Sequence, residues 1–175
     1  PLQPVATDEG SPVTLTAAAS DPGDPVLGYS WDIDLDHDAS GDGVTDNDKD
    51  ATGKSVVVTY ADSKATPYRI AVTVTDDDGL TARTEGTVTI ANLPPTVVLA
   101  EAGPIPEGIV ANGVCTPTSL ELAATVDDPA APDRLAGFGL RWQFGDGSPD
   151  ATVAGAQSPV QQVHLFGDDQ QANGP

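Results

Sequence analysis

The stretch that decides the fold is Tyr68–Thr75, which reads YRIAVTVT and is followed by the turn DDDG at residues 76–79. Apolar side chains occupy every second position of this stretch, and a period of two is typical of a strand with one buried face. Beyond the turn, Val88 and Ile90 continue the alternation. The pattern predicts a pair of antiparallel strands, and no nearby window predicts an amphipathic helix. We therefore expect an all-β chain.

Composition points the same way and limits the possible partners. The 175 residues include 22 Asp but 5 Glu, with 18 Gly and 16 Pro. Asp disfavours helices, and Gly and Pro mark the turns between short strands. The net charge of −20 repels phosphate backbones and anionic membrane surfaces. We expect no nucleic-acid partner and, since no apolar run approaches about 20 residues, no insertion into a membrane.

The chain contains an internal repeat. A segment at 11–22 matches one at 118–129, 107 positions further on, and both alternate before ending in Asp-Pro. A strand-like stretch with a tryptophan follows each segment. A stiff Pro-Pro pair marks the joint between the two copies. We predict two domains, residues 1–92 and 93–175.

Each copy is predicted to form an antiparallel β-sandwich of six or seven strands around a central tryptophan. The second copy is incomplete, because nothing after Phe166 matches the strands at 68–74 and 81–90. A sandwich without two strands exposes its core and a strand edge. We expect either a truncated domain or completion by further sequence or a neighbouring chain. The absence of Met and of a signal-like segment predicts that the sequence begins within a longer or processed chain.

Three motifs carry a family resemblance: WQFGDG at 142–147, the strand and turn at 68–79, and NLPP at 92–95. Together they resemble the PKD (polycystic kidney disease) family of immunoglobulin-like β-sandwiches. The resemblance implies two such sandwiches in tandem, the second incomplete. It also implies an extracellular spacer, adhesion or accessory module without catalytic machinery. The first copy departs from the family pattern, because a long acidic insertion follows Trp31 in place of a short Gly-Asp-Gly turn.

The acidic insertion, residues 32–50, reads DIDLDHDASGDGVTDNDKD and holds eight carboxylates in 19 positions. Charges this dense repel one another, so the loop is expected to stay extended and mobile until a cation neutralises it. Ca²⁺ takes about six to eight oxygen ligands in irregular geometry, whereas Mg²⁺ needs tight octahedral geometry and zinc prefers Cys and His. The candidate calcium ligands are Asp32, Asp34, Asp36, Asp38, Asp42, Asp46, Asp48 and Asp50.

Two further resemblances refine this site. Residues 34–42 place Asp or Ser at alternate positions as in an EF-hand loop, but without its glycine and its final glutamate. Residues 42–48 look like the repeats of thrombospondin type 3 regions, which implies a second ion at Asp46, Asp48 and Asp50. Such sites are tuned to calcium levels outside cells, so we expect an extracellular or cell-surface location. The alternative is that the carboxylates only hydrate the surface, as in proteins from salty habitats.

The sequence offers no catalytic constellation. Neither a Gly-x-Ser-x-Gly elbow nor a His-Glu-x-x-His pair occurs, and Cys115 has no histidine placed to activate it. We therefore expect no enzyme but a calcium-binding structural or adhesion module, a rigid spacer within a larger protein. Its partners would be other domains of the same long chain, neighbouring subunits, or protein and polysaccharide surfaces. Two alternatives are a carbohydrate- or protein-binding accessory module of a secreted hydrolase, and a filament subunit completed by a neighbour's strand.

Overall fold

The computed structural model describes residues 2–21, 28–100, 109–111 and 114–166. These residues form fourteen strands and one short helix, so the predicted all-β class is confirmed. Contacts divide the chain into two compact units, Pro1–Leu93 with Pro129–Ala131 and Pro94–Asp128 with Pro132–Pro175. Among the described residues, no helix is long and apolar enough to cross a membrane.

The first unit is built from two sheets. Its strands are β1 (Val5–Asp8), β2 (Pro12–Thr16), β3 (Gly28–Asp32), β4 (Ala51–Thr52), β5 (Ser55–Thr59), β6 (Tyr68–Thr75) and β7 (Thr81–Ala91). One sheet has the order β1-β7-β6-β3-β4, and the other pairs β2 with β5. Every pair is antiparallel except β1 with β7.

The predicted alternation of β6 determines which side chains enter the core. Tyr68, Ile70 and Val72 are buried, whereas Arg69 between them is exposed. Ala71 departs from the pattern and is also buried, because it lines a cavity on the outer face of the sheet beside the acidic insertion. This face of β6 is therefore covered around Ala71 but not at Arg69, although the alternation predicts all of it to be in solvent.

A single core lies between the two sheets of this unit. Trp31 is fully buried at its centre, and its Nε1 donates a hydrogen bond to the Gly53 carbonyl at 2.8 Å. This bond satisfies the polar atom of a large apolar side chain, as burial of tryptophan requires. The buried members are Val13, Leu15, Ala17, Trp31, Val56, Tyr60, Tyr68, Ile70, Val72, Val88 and Ile90.

The acidic insertion is the connection between β3 and β4, and we call residues 32–50 the acidic loop. The two strands pair at Trp31 and Ala51, so both ends of the loop are fixed next to the core tryptophan. The Asp50 amide donates to the Trp31 carbonyl at 2.9 Å and closes the base. A rigid base means that the first and last carboxylates of the loop are held close together.

The seven described strands of the second unit are divided among three small sheets. Its elements are β8 (Thr96–Leu99), β9 (Ile109–Ala111), β10 (Val114–Thr116), β11 (Thr118–Asp127), α1 (Ala131–Ala136), β12 (Phe138–Trp142), β13 (Ala151–Ala156) and β14 (Val160–Phe166). The sheets are β14-β11-β8, β12-β13 and β10-β9. Its buried core is small and consists of Ala124, Val126, Trp142 and Val160. Cys115 pairs with Val110 through the backbone, and its side chain lies outside the described part.

The strand pairings of the two units correspond. β2 pairs with β5 as β11 pairs with β14, and β3 pairs with β4 as β12 pairs with β13. Trp31 faces Ala51 in the first unit, and Trp142 faces Ala151 in the second. In the first unit β3 also pairs with β6, whereas no described strand pairs with the second edge of β12.

Candidate metal centre

Asp32 is the most deeply buried carboxylate of the acidic loop. It is the last residue of β3, follows the core tryptophan and is 3% exposed. Its Oδ1 accepts the Asp34 amide at 3.3 Å, but its Oδ2 is buried without any hydrogen-bond partner. A buried carboxylate oxygen without a donor is unfavourable, so this atom marks a place where a cation would be stabilising.

A cavity of about 160 Å³ lies between the acidic loop and the outer face of the large sheet. Asp32 and Asp48 line it together with the hydroxyl-bearing side chains Ser30, Thr73, Thr75 and Thr81. These six side chains carry oxygen atoms, which are the ligand type that hard cations prefer. Lys49 and Arg83 also border the cavity and supply positive charge.

The pKa of Asp32 reflects both its burial and the charges around it. Burial raises the pKa of Asp32, and the negative charges of Asp50 and Asp48 raise it further. The Asp34 amide and the Arg83 guanidinium lower it, but the net direction is upward. Burial first, and then the neighbouring carboxylates, therefore disfavour the ionised form of Asp32, and a further positive charge beside it would favour that form.

Asp48 is the second buried carboxylate, at 6% exposed, although it lies near the middle of an otherwise exposed stretch. Its two oxygens accept the amides of Ala39 and Ser40, at 2.6 and 3.0 Å. Asp50 is exposed, and its Oδ2 accepts the Ile33 amide at 2.9 Å. We call Asp32, Asp48 and Asp50 the Asp32 cluster.

Asp38 organises the tip of the loop through backbone amides. Its carboxylate accepts the amides of Gly41 at 2.6 Å and Gly43 at 2.7 Å, and also that of Asp42 at 3.2 Å. The amide of Gly43, with those of Gly41 and Asp42 and the Ser40 hydroxyl, lowers the pKa of Asp38. The loop thus has a compact tip, because its carboxylates cap the backbone instead of only repelling one another.

Three basic side chains from outside the loop neutralise part of its charge. Lys64 bonds Asp34 at 2.7 Å, and Arg69 lies 3.6 Å from an oxygen of Asp36. Arg83 donates to the carbonyl oxygen of Asp46 at 2.6 Å. The carboxylates of Asp34 and Asp36 therefore have basic partners, in contrast to the buried Oδ2 of Asp32.

The predicted ligands do not converge on one point. Within the described residues, no three carboxylates of the loop each bring an oxygen within 4.8 Å of the others. Of the EF-hand-like set, Asp34 pairs with Lys64, Asp38 caps the tip, and Asp42 accepts the Val44 amide at 2.8 Å. Of the second predicted set, Asp46 is exposed, whereas Asp48 and Asp50 belong to the Asp32 cluster. Calcium at the cluster would therefore require the loop to rearrange around it.

The Asp32 cluster fits a hard, oxygen-seeking cation better than a transition metal. It supplies carboxylate oxygens beside a hydroxyl-lined cavity, and no histidine or cysteine lines that cavity. His37, the one imidazole of the acidic loop, is exposed. Sequence spacing does not distinguish Asp32 from the other seven predicted calcium ligands. The feature that distinguishes Asp32 is its position directly after a core tryptophan.

His164 in the second unit is the other polar centre worth testing for chemistry. Its Nε2 lies 2.7 Å from Asp146 Oδ2 and 3.4 Å from Ser148 Oγ, and its ring stacks on Phe144. A Ser-His-Asp relay needs the hydroxyl and the carboxylate on opposite ring nitrogens. Here both approach the same nitrogen, so this arrangement is a structural bond that fixes the ring.

No protein-family model matches the chain, and no curated protein matches it in sequence. The functional argument therefore depends on the residues and geometry described above.

Proposed function

We propose that this chain is a non-catalytic structural module whose first unit is stabilised by calcium at the Asp32 cluster. The observation that carries the proposal is the buried, unpartnered Oδ2 of Asp32 beside a hydroxyl-lined cavity. A cation there would lie beside the carboxylates of Asp32 and Asp48 and would offset the burial and the repulsion that raise the pKa of Asp32.

The outer carboxylates support this assignment by having other roles. Asp34 and Asp36 have basic partners, and Asp38 caps backbone amides. We therefore place the ion at Asp32, Asp48 and Asp50, with the threonine hydroxyls and water completing the oxygen shell. Calcium fits this role because its coordination number and geometry adapt to irregular oxygen sites.

Calcium at this position would stiffen the first unit. The loop is joined at Trp31 and Ala51 to the sheet that contains the core, so an ion at its base would link loop and sheet. A PKD-like tandem with one calcium-dependent unit would serve as a spacer or adhesion segment of an extracellular or surface protein. Its partners would be adjoining domains, neighbouring subunits or protein surfaces.

The polysaccharide-binding alternative lacks a supporting observation. Sugar-binding surfaces of secreted accessory modules would use exposed aromatic rings, and all eight aromatic residues of this chain are buried or half-buried. We therefore keep the structural role as the proposed function.

The test is calorimetric melting in calcium and in chelator, for the native sequence, Asp32→Asn and Asp77→Asn. Asp77 is an exposed carboxylate in the β6–β7 turn, so its variant removes the same charge outside the loop. For a dissociation constant of about 10⁻⁴ M, 10 mM calcium stabilises by about 2.7 kcal/mol. That raises the melting temperature of a unit this size by roughly 10 °C or more.

We expect this rise for the native sequence and Asp77→Asn, and its loss in Asp32→Asn. An unchanged melting temperature in the native sequence would overturn the proposal. An equal rise with molar sodium chloride and no specific calcium response would support the alternative of surface hydration.

A further inference from the structure

We infer that the second unit binds a β-hairpin of a partner polypeptide along the edge of β12 that no described strand occupies, which we call its free edge. This inference is independent of the calcium proposal, because it concerns a different unit and an apolar surface. It starts from an open groove of about 600 Å³ between β8, β11 and β12.

The groove is an unfinished core. Its lining includes Ala124, Val126 and Trp142, which are three of the four buried core residues of the unit. Val97 and Leu99 of β8 also line it, yet they are 62% and 66% exposed. Apolar side chains gathered around an open groove favour a partner that removes them from water.

The first unit identifies the kind of partner. There, the edge of β3 that corresponds to the free edge of β12 pairs with β6, and β6 pairs with β7. Val88 and Ile90 of β7 are buried in that core together with Ile70 and Val72 of β6. In the first unit, the hairpin of β6 and β7 therefore pairs with this edge of β3 and also completes the core.

The expected occupant is a hairpin with the alternation of Tyr68–Ala91. Its first strand would extend the β12-β13 sheet by backbone hydrogen bonds, and its alternate apolar side chains would fill the groove. Addition of a strand to an exposed sheet edge is an established mode of peptide recognition. Backbone pairing provides the contact, and the apolar pattern provides the specificity.

The experiment uses the whole chain and a labelled synthetic peptide of residues 67–92, titrated by fluorescence anisotropy. The matched chain variants are Val97→Asp and Val98→Asp. The two positions are adjacent on β8 and almost equally exposed, at 62% and 65%, but Val98 does not line the groove. A control peptide carries Ile70→Asp and Val72→Asp.

We expect saturable binding of the native peptide to the native chain and to Val98→Asp. Val97→Asp should bind about tenfold more weakly or worse, because it places a carboxylate in the apolar interface. Circular dichroism checks folding. If Val97→Asp unfolds the unit, Leu99→Ala replaces it and should also weaken binding. The substituted peptide should not bind.

Three results would overturn the inference. One is the absence of saturable binding, and another is equal binding to Val97→Asp and Val98→Asp. The third is a molar mass, measured by light scattering, that rises with chain concentration for the native chain but not for Val97→Asp. That result would mean that a second copy of this chain occupies the groove.

Discussion

Asp48→Ala should destabilise the first unit by about 2 kcal/mol in the absence of calcium. Asp48 accepts two amide hydrogen bonds, from Ala39 at 2.6 Å and Ser40 at 3.0 Å. Hydrogen bonds to a charged group contribute about 1.5–3 kcal/mol each, so their gross contribution is about 3–6 kcal/mol. Two effects reduce this figure. Water replaces part of the lost bonding at exposed Ala39 and Ser40, and removal of the charge relieves the repulsion of Asp32.

The assay is calorimetric melting in chelator, with Asp46→Ala as the matched control. Asp46 is an exposed carboxylate of the same loop whose carbonyl oxygen, rather than side chain, accepts the bond from Arg83. A loss of about 2 kcal/mol lowers the melting temperature of the first unit by roughly 8–16 °C, whereas Asp46→Ala should shift it little. Amide exchange should accelerate at Ala39 and Ser40 but not at Gly43. Equal melting temperatures for the two variants would refute the buried role of Asp48.

Two other predictions concern pH and backbone strain. Burial raises the folded-state pKa of Asp32 above 3.8, so the calcium-free first unit should lose stability as pH rises from 3.8 through that raised pKa. In a plot of urea midpoint against pH, Asp32→Asn should remove this part of the slope. Parallel slopes for the native sequence and Asp32→Asn would contradict this prediction. Gly43→Ala should lower the free energy of unfolding in urea by about 1 kcal/mol, because Gly43 has a φ of 88° and any cost must come from the backbone, since the space around a Cβ is open. The control is Gly28→Ala in β3, where a Cβ meets only ordinary contacts. Equal effects of the two substitutions would argue against backbone strain at Gly43.

Local pattern was sufficient to predict the strands and the place of the acidic loop. The alternation of β6 and the turn after it follow from neighbouring residues alone, and the structure has them as predicted. The repeat predicts that Trp31 and Trp142 are core residues, and both are buried. The comparison of the two copies also predicts that the second lacks a hairpin equivalent to β6 and β7, and no described strand pairs with the second edge of β12.

The details of the candidate site could not be predicted because they depend on tertiary contacts. Lys64, Arg69 and Arg83 lie far from the acidic loop in sequence and approach it only once β6 and β7 are in place. Spacing by two treats Asp32 and Asp36 alike, yet one is buried and the other exposed. The expectation of an extended loop also overlooked backbone capping by Asp38.

The short helix α1 has boundary residues that are visible in the sequence. Its second residue is Pro132, Asp133 follows in the first turn, and Gly137 with a φ of 83° stands just after its end. Proline near the start and glycine after the end are the usual boundaries of a helix. The segment is six residues long, too short for the periodicity that predicts longer helices.

Calcium binding at the Asp32 cluster is tested most directly by a calcium titration followed by the carboxyl ¹³C resonances of the aspartates. We expect the Asp32 resonance to move together with those of Asp48 and Asp50 and to saturate at calcium concentrations of about 10⁻⁴–10⁻³ M. The resonance of Asp77 should stay in place. If the Asp32 resonance does not move while those of the exposed aspartates drift without saturating, the cluster holds no calcium and the central claim is wrong.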